Sequence, residues 1–131
     1  MALLVGMAGR SHWSLSVEPR HDESPDLAGF LFDAACRFGG TPQTLGSRYI
    51  SLDGDWVLES PNRAVLMPNH ADGVLILERR SSNASIAGGI DHHLRLDGDE
   101  LSLNLALQER EVAKSPATTA RWLYGVRWKS A

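Results

Sequence analysis

The chain has 131 residues, 43% of them hydrophobic and 22% charged, with a net charge of −3 and a single cysteine. That is the profile of one soluble globular domain spanning residues 1–131, large enough to bury roughly two thirds of its surface without disulfides or a structural metal. Cys36 alone cannot form an intramolecular disulfide or a cysteine-based zinc or iron–sulfur site within one chain, and thirteen basic residues against sixteen acidic ones argue against capture of nucleic acid by net charge.

The apolar stretch from Met1 to Gly9 has no basic residue ahead of it and no small-x-small cleavage pattern, so it does not read as a signal peptide. The longest later apolar run, Val74 to Leu77, is far short of the ~20 residues that span a bilayer. No membrane partner is expected, and a lone cysteine fits a reducing, cytoplasmic setting.

In chain order, His12, Trp13, Leu15 and Val17 hint at an alternating strand. The charged, proline-containing segment 18–24 reads as an exposed loop. A helix is then predicted: Ser24 is placed to cap it, Pro25 suits its first position, Asp26 complements its dipole, and Gly39 and Gly40 end it. Leu27, Phe30, Leu31, Ala34 and Phe38 would form its apolar stripe.

Three hairpins follow from pairing arithmetic. Asp53-Gly54 is read as a two-residue turn that sets Ile50 against Val57 and Arg48 against Glu59. Arg63 to Met67 and Val74 to Glu78 flank a loop at 68–73, with Arg63 across from Glu78. Asp97-Gly98 turns the chain so that Leu94 meets Leu101, His92 meets Leu103, Ile90 meets Leu105 and Arg95 faces Glu100. A last strand, Arg121 to Lys129, carries Trp122, Tyr124, Val126 and Trp128 at its even positions and Arg121, Arg127 and Lys129 at its odd ones.

The expected fold is therefore α+β: one principal N-terminal helix packed on a strongly twisted antiparallel β-meander of six to eight strands, curled into a half-barrel or a closed barrel.

Candidate chemistry is sparse. In Asp91-His92-His93, strand alternation separates His92 from its two neighbours, so the three cannot share one metal ion. His70 and Asp72, with Asn69, sit in a loop whose backbone alone accounts for such residues. Asp22, Glu23 and Asp26 suit a solvated helix start and repel anions. Cys36, near the negative end of the predicted helix, is not expected to be an activated thiolate. The sequence contains no G-x-S-x-G, P-loop, G-x-G-x-x-G or H-E-x-x-H motif. Basic residues Lys114, Arg121, Arg127 and Lys129 lie among aromatics, as on a single-stranded nucleic-acid platform, but alternation turns the aromatics inward and the cations outward.

The reading that results is a small non-catalytic ligand-binding or protein-interaction module with an apolar and aromatic cavity, self-associating as a homodimer or larger assembly. The aromatic face of the last strand is one place where a second subunit would complete burial. Trp56, His92, Trp122, Tyr124 and Trp128 are the candidate ligand-binding residues, each combining an apolar body with a polar tip, for a small apolar or cationic ligand. No metal and no cofactor are implied. The alternative is a small cofactor-independent enzyme in which His92, aided by Asp91 or Asp72, transfers a proton within the cavity.

Overall fold

A computed structural model describes residues 1–21, 27–38, 45–80, 91–106 and 118–130. Ten strands run through them: β1 (Ala2–Ala8), β2 (Ser11–His21), β3 (Leu27–Phe38), β4 (Gly46–Ile50), β5 (Asp55–Ser60), β6 (Arg63–Met67), β7 (Val74–Arg80), β8 (Asp91–Asp97), β9 (Glu100–Ala106) and β10 (Thr118–Lys129). Seven form an antiparallel sheet in the order β1-β2-β3-β10-β7-β6-β5, and three form a second sheet in the order β4-β9-β8. The predicted α+β class is thus replaced by an all-β architecture, with no helix among the described residues and no closure into a barrel. None of them forms a helix long and apolar enough to cross a membrane.

The segment expected to be helical is β3. It pairs with β2 on one side, from His12↔Arg37 to His21↔Ala28, and with β10 on the other, from Thr118↔Phe38 to Lys129↔Leu27. A strand laddered on both edges satisfies nearly all its backbone groups, and Phe30-Leu31-Phe32 suits a pleated surface. Tertiary pairing therefore overrides the local helix signals. The proposed cap and stop residues, Ser24, Pro25, Asp26, Gly39 and Gly40, lie outside the described residues.

Of the three hairpins, the middle one forms as read, with Arg63↔Glu78 and Leu66↔Leu75. The last forms with its register moved: Asp97 pairs Glu100, Leu96 pairs Leu101 and Leu94 pairs Leu103. Gly98, at φ 62°, takes the first central position of the turn while Asp99 keeps a negative φ, the pattern of a type II′ turn centred one residue later than the expected Asp97-Gly98. His92 accordingly stands opposite Leu105, and Arg95 opposite Ser102. Because the slip is even in pairing, the leucines keep their common face.

The first hairpin does not form. Asp53-Gly54 is a corner at which the chain leaves the small sheet for the large one, with β4 pairing β9 and β5 pairing β6. Arg48 reaches Glu100 at 3.5 Å, and Glu59 pairs Arg63 at 3.1 Å. The corner is built by side chains. Ser51 Oγ donates to the Asp53 carbonyl at 2.9 Å and accepts from the Asp53 amide. The Asp53 carboxylate accepts from the amides of Asn69 and His70, each at 3.2 Å, and meets His70 Nδ1 at 3.0 Å. Asn69 and His70 thus tie the β6–β7 loop to the corner.

The core lies where the small sheet covers the middle of the large one. Ala34 and Cys36 of β3, Ala120, Trp122 and Tyr124 of β10, Leu77 of β7, Ala64 of β6 and Trp56 of β5 meet Leu94, Leu101 and Leu103. On its far face β10 carries cations, as alternation requires. Arg121 pairs Asp33, with Nε to Oδ1 at 2.8 Å, and Arg127 pairs Glu78. β1 and β2 continue the large sheet beyond this core.

A candidate binding cleft between the sheets

Between the two sheets a cleft of about 360 Å3 opens. Ala34, Cys36, Trp122 and Tyr124 form its floor, Leu45, Gly46 and Ser47 one wall, and Ala8, Ser11, Trp13 and Leu15 the other. The register explains the floor. Trp13 stands opposite Cys36 and Leu15 opposite Ala34, while Ala34 stands opposite Trp122 and Phe32 opposite Tyr124. Large side chains on β2 and β10 thus flank small ones on β3, and the missing volume above Ala34 and Cys36 leaves the space.

Two polar contacts bridge the sheets at this cleft. Trp122 Nε1–H donates to Ser47 Oγ at 2.9 Å, and the Tyr124 and Tyr49 hydroxyls hydrogen-bond each other. Aromatic packing fixes the second pair: Tyr124 stacks on Phe32 with centroids 5.0 Å apart, and Tyr49 meets Tyr124 edge-on at 6.0 Å. Burial, and then the hydrogen bond and proximity to Tyr124, push the Tyr49 hydroxyl well above the ordinary phenol range, so it stays protonated at neutral pH. Each hydroxyl has one proton and two lone pairs. The tyrosine pair uses one of its two protons internally, and Ser47 accepts from Trp122. Among the described residues, the phenolic proton of one of the two tyrosines and the Ser47 proton meet no acceptor.

Burial also raises the Cys36 thiol, against a smaller lowering by a hydrogen bond with Ser11, so it is not an activated nucleophile. The reason is desolvation in a strand, replacing the helix-end dipole expected from the sequence. Among the described residues, neither carboxylate nor histidine lines the cleft, and no group of three metal-ligating side chains occurs.

The five candidate binding residues fall in different places. Trp122 and Tyr124, 6% and 3% exposed, line the cleft floor. Trp56 is packed in the core, away from the cleft lining. Trp128 sits near the far end of β10, with its indole close over Gly73. His92 occupies β8 opposite Leu105; its side chain and that of Asp91 lie outside the described part of the structure. Burial of Trp122 and Tyr124 within one chain means that this part of the aromatic face is not a surface awaiting a second subunit. Ser47 and Tyr49 were missed by sequence reasoning, and Cys36 was read as an unactivated thiol without a place in the cleft. The alternation of Ser47 and Tyr49 with Arg48 and Ile50 was the available signal for the first two.

No protein-family model matches the chain, and neither a curated protein nor a solved structure does.

Proposed function

We propose that this protein is a non-catalytic binding module whose inter-sheet cleft takes a small, largely apolar molecule bearing an acceptor oxygen. The observation that carries this reading is the hydroxyls of Ser47 and of Tyr124 with its partner Tyr49, which among the described residues keep donor capacity beside a largely apolar cleft. Its volume is at the lower end of small-molecule pockets, roughly 300–1,000 Å3. Apolar walls supply burial energy, and the hydroxyls fix orientation. No carboxylate is among the described lining residues to neutralise a cation, so a neutral molecule or a carboxylate that accepts from the hydroxyls suits the site better. Among the described lining residues, tryptophan, tyrosine, serine and a thiol raised by burial offer no group poised for proton transfer near pH 7, which favours binding over the histidine-based enzyme reading.

The test is a tryptophan-fluorescence and calorimetric titration with benzamide, indole-3-carboxamide and octanoate. At least one should bind and change the emission. Ser47→Ala should weaken that binding about five- to tenfold, as expected for one lost hydrogen bond of ~1 kcal/mol, and Leu45→Trp, which fills the cleft, should abolish it. If nothing in the panel binds at millimolar concentration, or if Leu45→Trp leaves binding intact, the reading fails.

A further inference from the structure

The two edges of the seven-stranded sheet differ in how they are protected. β5, at one edge, carries Asp55 and Glu59 and breaks its ladder with a bulge between Leu58 and Ser60. Charge and irregular pairing are standard defences against a strand docking on an open edge. β1, at the other edge, has neither. Its seven residues, Ala-Leu-Leu-Val-Gly-Met-Ala, contain no charge and no proline, and they pair with β2 without interruption from Ala2↔Val17 to Ala8↔Ser11.

β1 is also apolar on both faces. Gly6 pairs Trp13 and Leu4 pairs Leu15, so Leu4 lies on the same face as the cleft. Leu3, Val5 and Met7 lie on the opposite face, at 65%, 72% and 65% exposure. With Met1 and Leu4 at 83% and 48% exposure, they make the whole edge strand an exposed apolar run. A run of bare apolar surface beside an open hydrogen-bonding edge is the arrangement that strand addition completes.

We propose that β1 is a homodimer interface, in which two copies pair their β1 strands antiparallel about a two-fold axis at Val5 and join the sheets into one. The proposal is independent of the cleft reading. The occupant is a second copy because the strand is self-complementary in this register. Val5 meets Val5, Leu3 meets Met7, Leu4 meets Gly6 and Ala2 meets Ala8, so no charged residue stands in the pairing and no like charges oppose along it. Shape agrees on both faces. The Trp13 indole lies over Gly6, where a Cβ would come within 2.4 Å of the ring, so Leu4 of each copy reaches the Trp13 ring of the other. On the face away from the cleft, Leu3 of each copy arrives opposite Met7, beside a groove of about 460 Å3 lined by Val5, Met7, His12, Ala35 and Arg37. A two-fold pairing closes on itself, so the assembly stops at two.

Sedimentation velocity over a concentration series tests this on the full chain. Wild type should show a reversible monomer–dimer equilibrium. Val5→Lys, which sets two ammonium groups face to face on the axis, should be monomeric with an unchanged circular dichroism spectrum. Leu3→Glu alone should be monomeric, and Leu3→Glu combined with Met7→Lys should restore the dimer, because the register brings opposite charges together at both ends. Rescue distinguishes this register from general loss of stickiness. A monomeric wild type at the highest soluble concentration, an assembly larger than a dimer, a dimer that survives Val5→Lys, or no rescue by the double variant overturns the proposal. Ligand titration of Val5→Lys keeps the two readings separate, since Val5 does not line the cleft.

Discussion

β10 and β2 lie two strands apart in the same sheet and present aromatic and aliphatic residues to the same face, yet their fates differ. Trp122 and Tyr124 on β10 are sealed beneath Ser47, Tyr49, Leu101 and Leu103 of the small sheet, with their polar tips bonded across the gap. Trp13 on β2 is 39% exposed, and Leu4 beside it on β1 is nearly half exposed. The strand pattern is the same at both places, and only the cover differs. Alternation tells which residues share a face, but burial is decided by how far the second layer extends. Among the described residues the layer stops at β4, which leaves a cleft at its margin and an apolar wing beyond it.

The largest effect should come from truncating the two tryptophans that define this contrast. Trp122→Ala removes a buried indole and the donor to Ser47 Oγ, and is expected to cost ~3–5 kcal/mol in urea unfolding. Trp13→Ala, measured in the monomeric Val5→Lys background, should cost less, about 1–3 kcal/mol, because about two fifths of the residue is already in water. Equal losses at the two positions would mean that β1 and β2 are covered as completely as β10.

The corner at Gly54 is the next test, because it is what separates the two sheets. Gly54 has φ 85°, and a Cβ there would lie 2.2 Å from the Met67 carbonyl oxygen. Gly54→Ala should therefore destabilise the protein by about 1–3 kcal/mol. Gly54→Asn separates the corner from the hairpin that the sequence suggests. Asparagine tolerates positive φ in an open turn and would be nearly neutral in a hairpin. Here it meets the same carbonyl and should be as harmful as alanine. A smaller effect is expected from Tyr124→Phe, which keeps the stacking on Phe32 but leaves the Tyr49 hydroxyl without its partner, at a cost of ~1 kcal/mol.

The elements legible in the sequence were those whose partners lie close in the chain. The Arg63 and Glu78 strands and the Leu94–Leu103 face could be found because each hairpin is local, and β10 because its alternation is clean. β3 was misread because Leu27, Phe30, Leu31, Ala34 and Phe38 satisfy a helical period, while the two strands that claim it arrive from residues 12–21 and 118–129. No local signal carries that information. The Asp53-Gly54 corner failed for a related reason, since the same dipeptide serves a hairpin or a sheet-to-sheet bend and the choice rests on whether β4 finds β9. The binding cleft divides along this line. Trp122 and Tyr124 were readable from one strand, whereas Ser47 and Tyr49 join them only through a contact spanning 75 residues of chain.

The last prediction concerns the same corner and its dependence on pH. The Asp53 carboxyl is held below the ordinary carboxylate range chiefly by its hydrogen bond with the His70 side chain, with smaller help from the backbone amides of His70 and Asn69. A depressed folded-state pKa means that the native protein binds this proton less readily than the unfolded chain does. The resulting stabilisation is complete above the unfolded value, about 3.9, and is lost as the pH falls through the lower folded value. Thermal midpoints of wild type should therefore drop more steeply on acidification than those of Asp53→Asn, and the two curves should converge at the acid end. The group is solvent-exposed, so this effect is expected to be the smallest of those named here. Parallel curves would mean that the β6–β7 loop is not tied to the corner through Asp53, and the division between the two sheets would then rest on Gly54 alone.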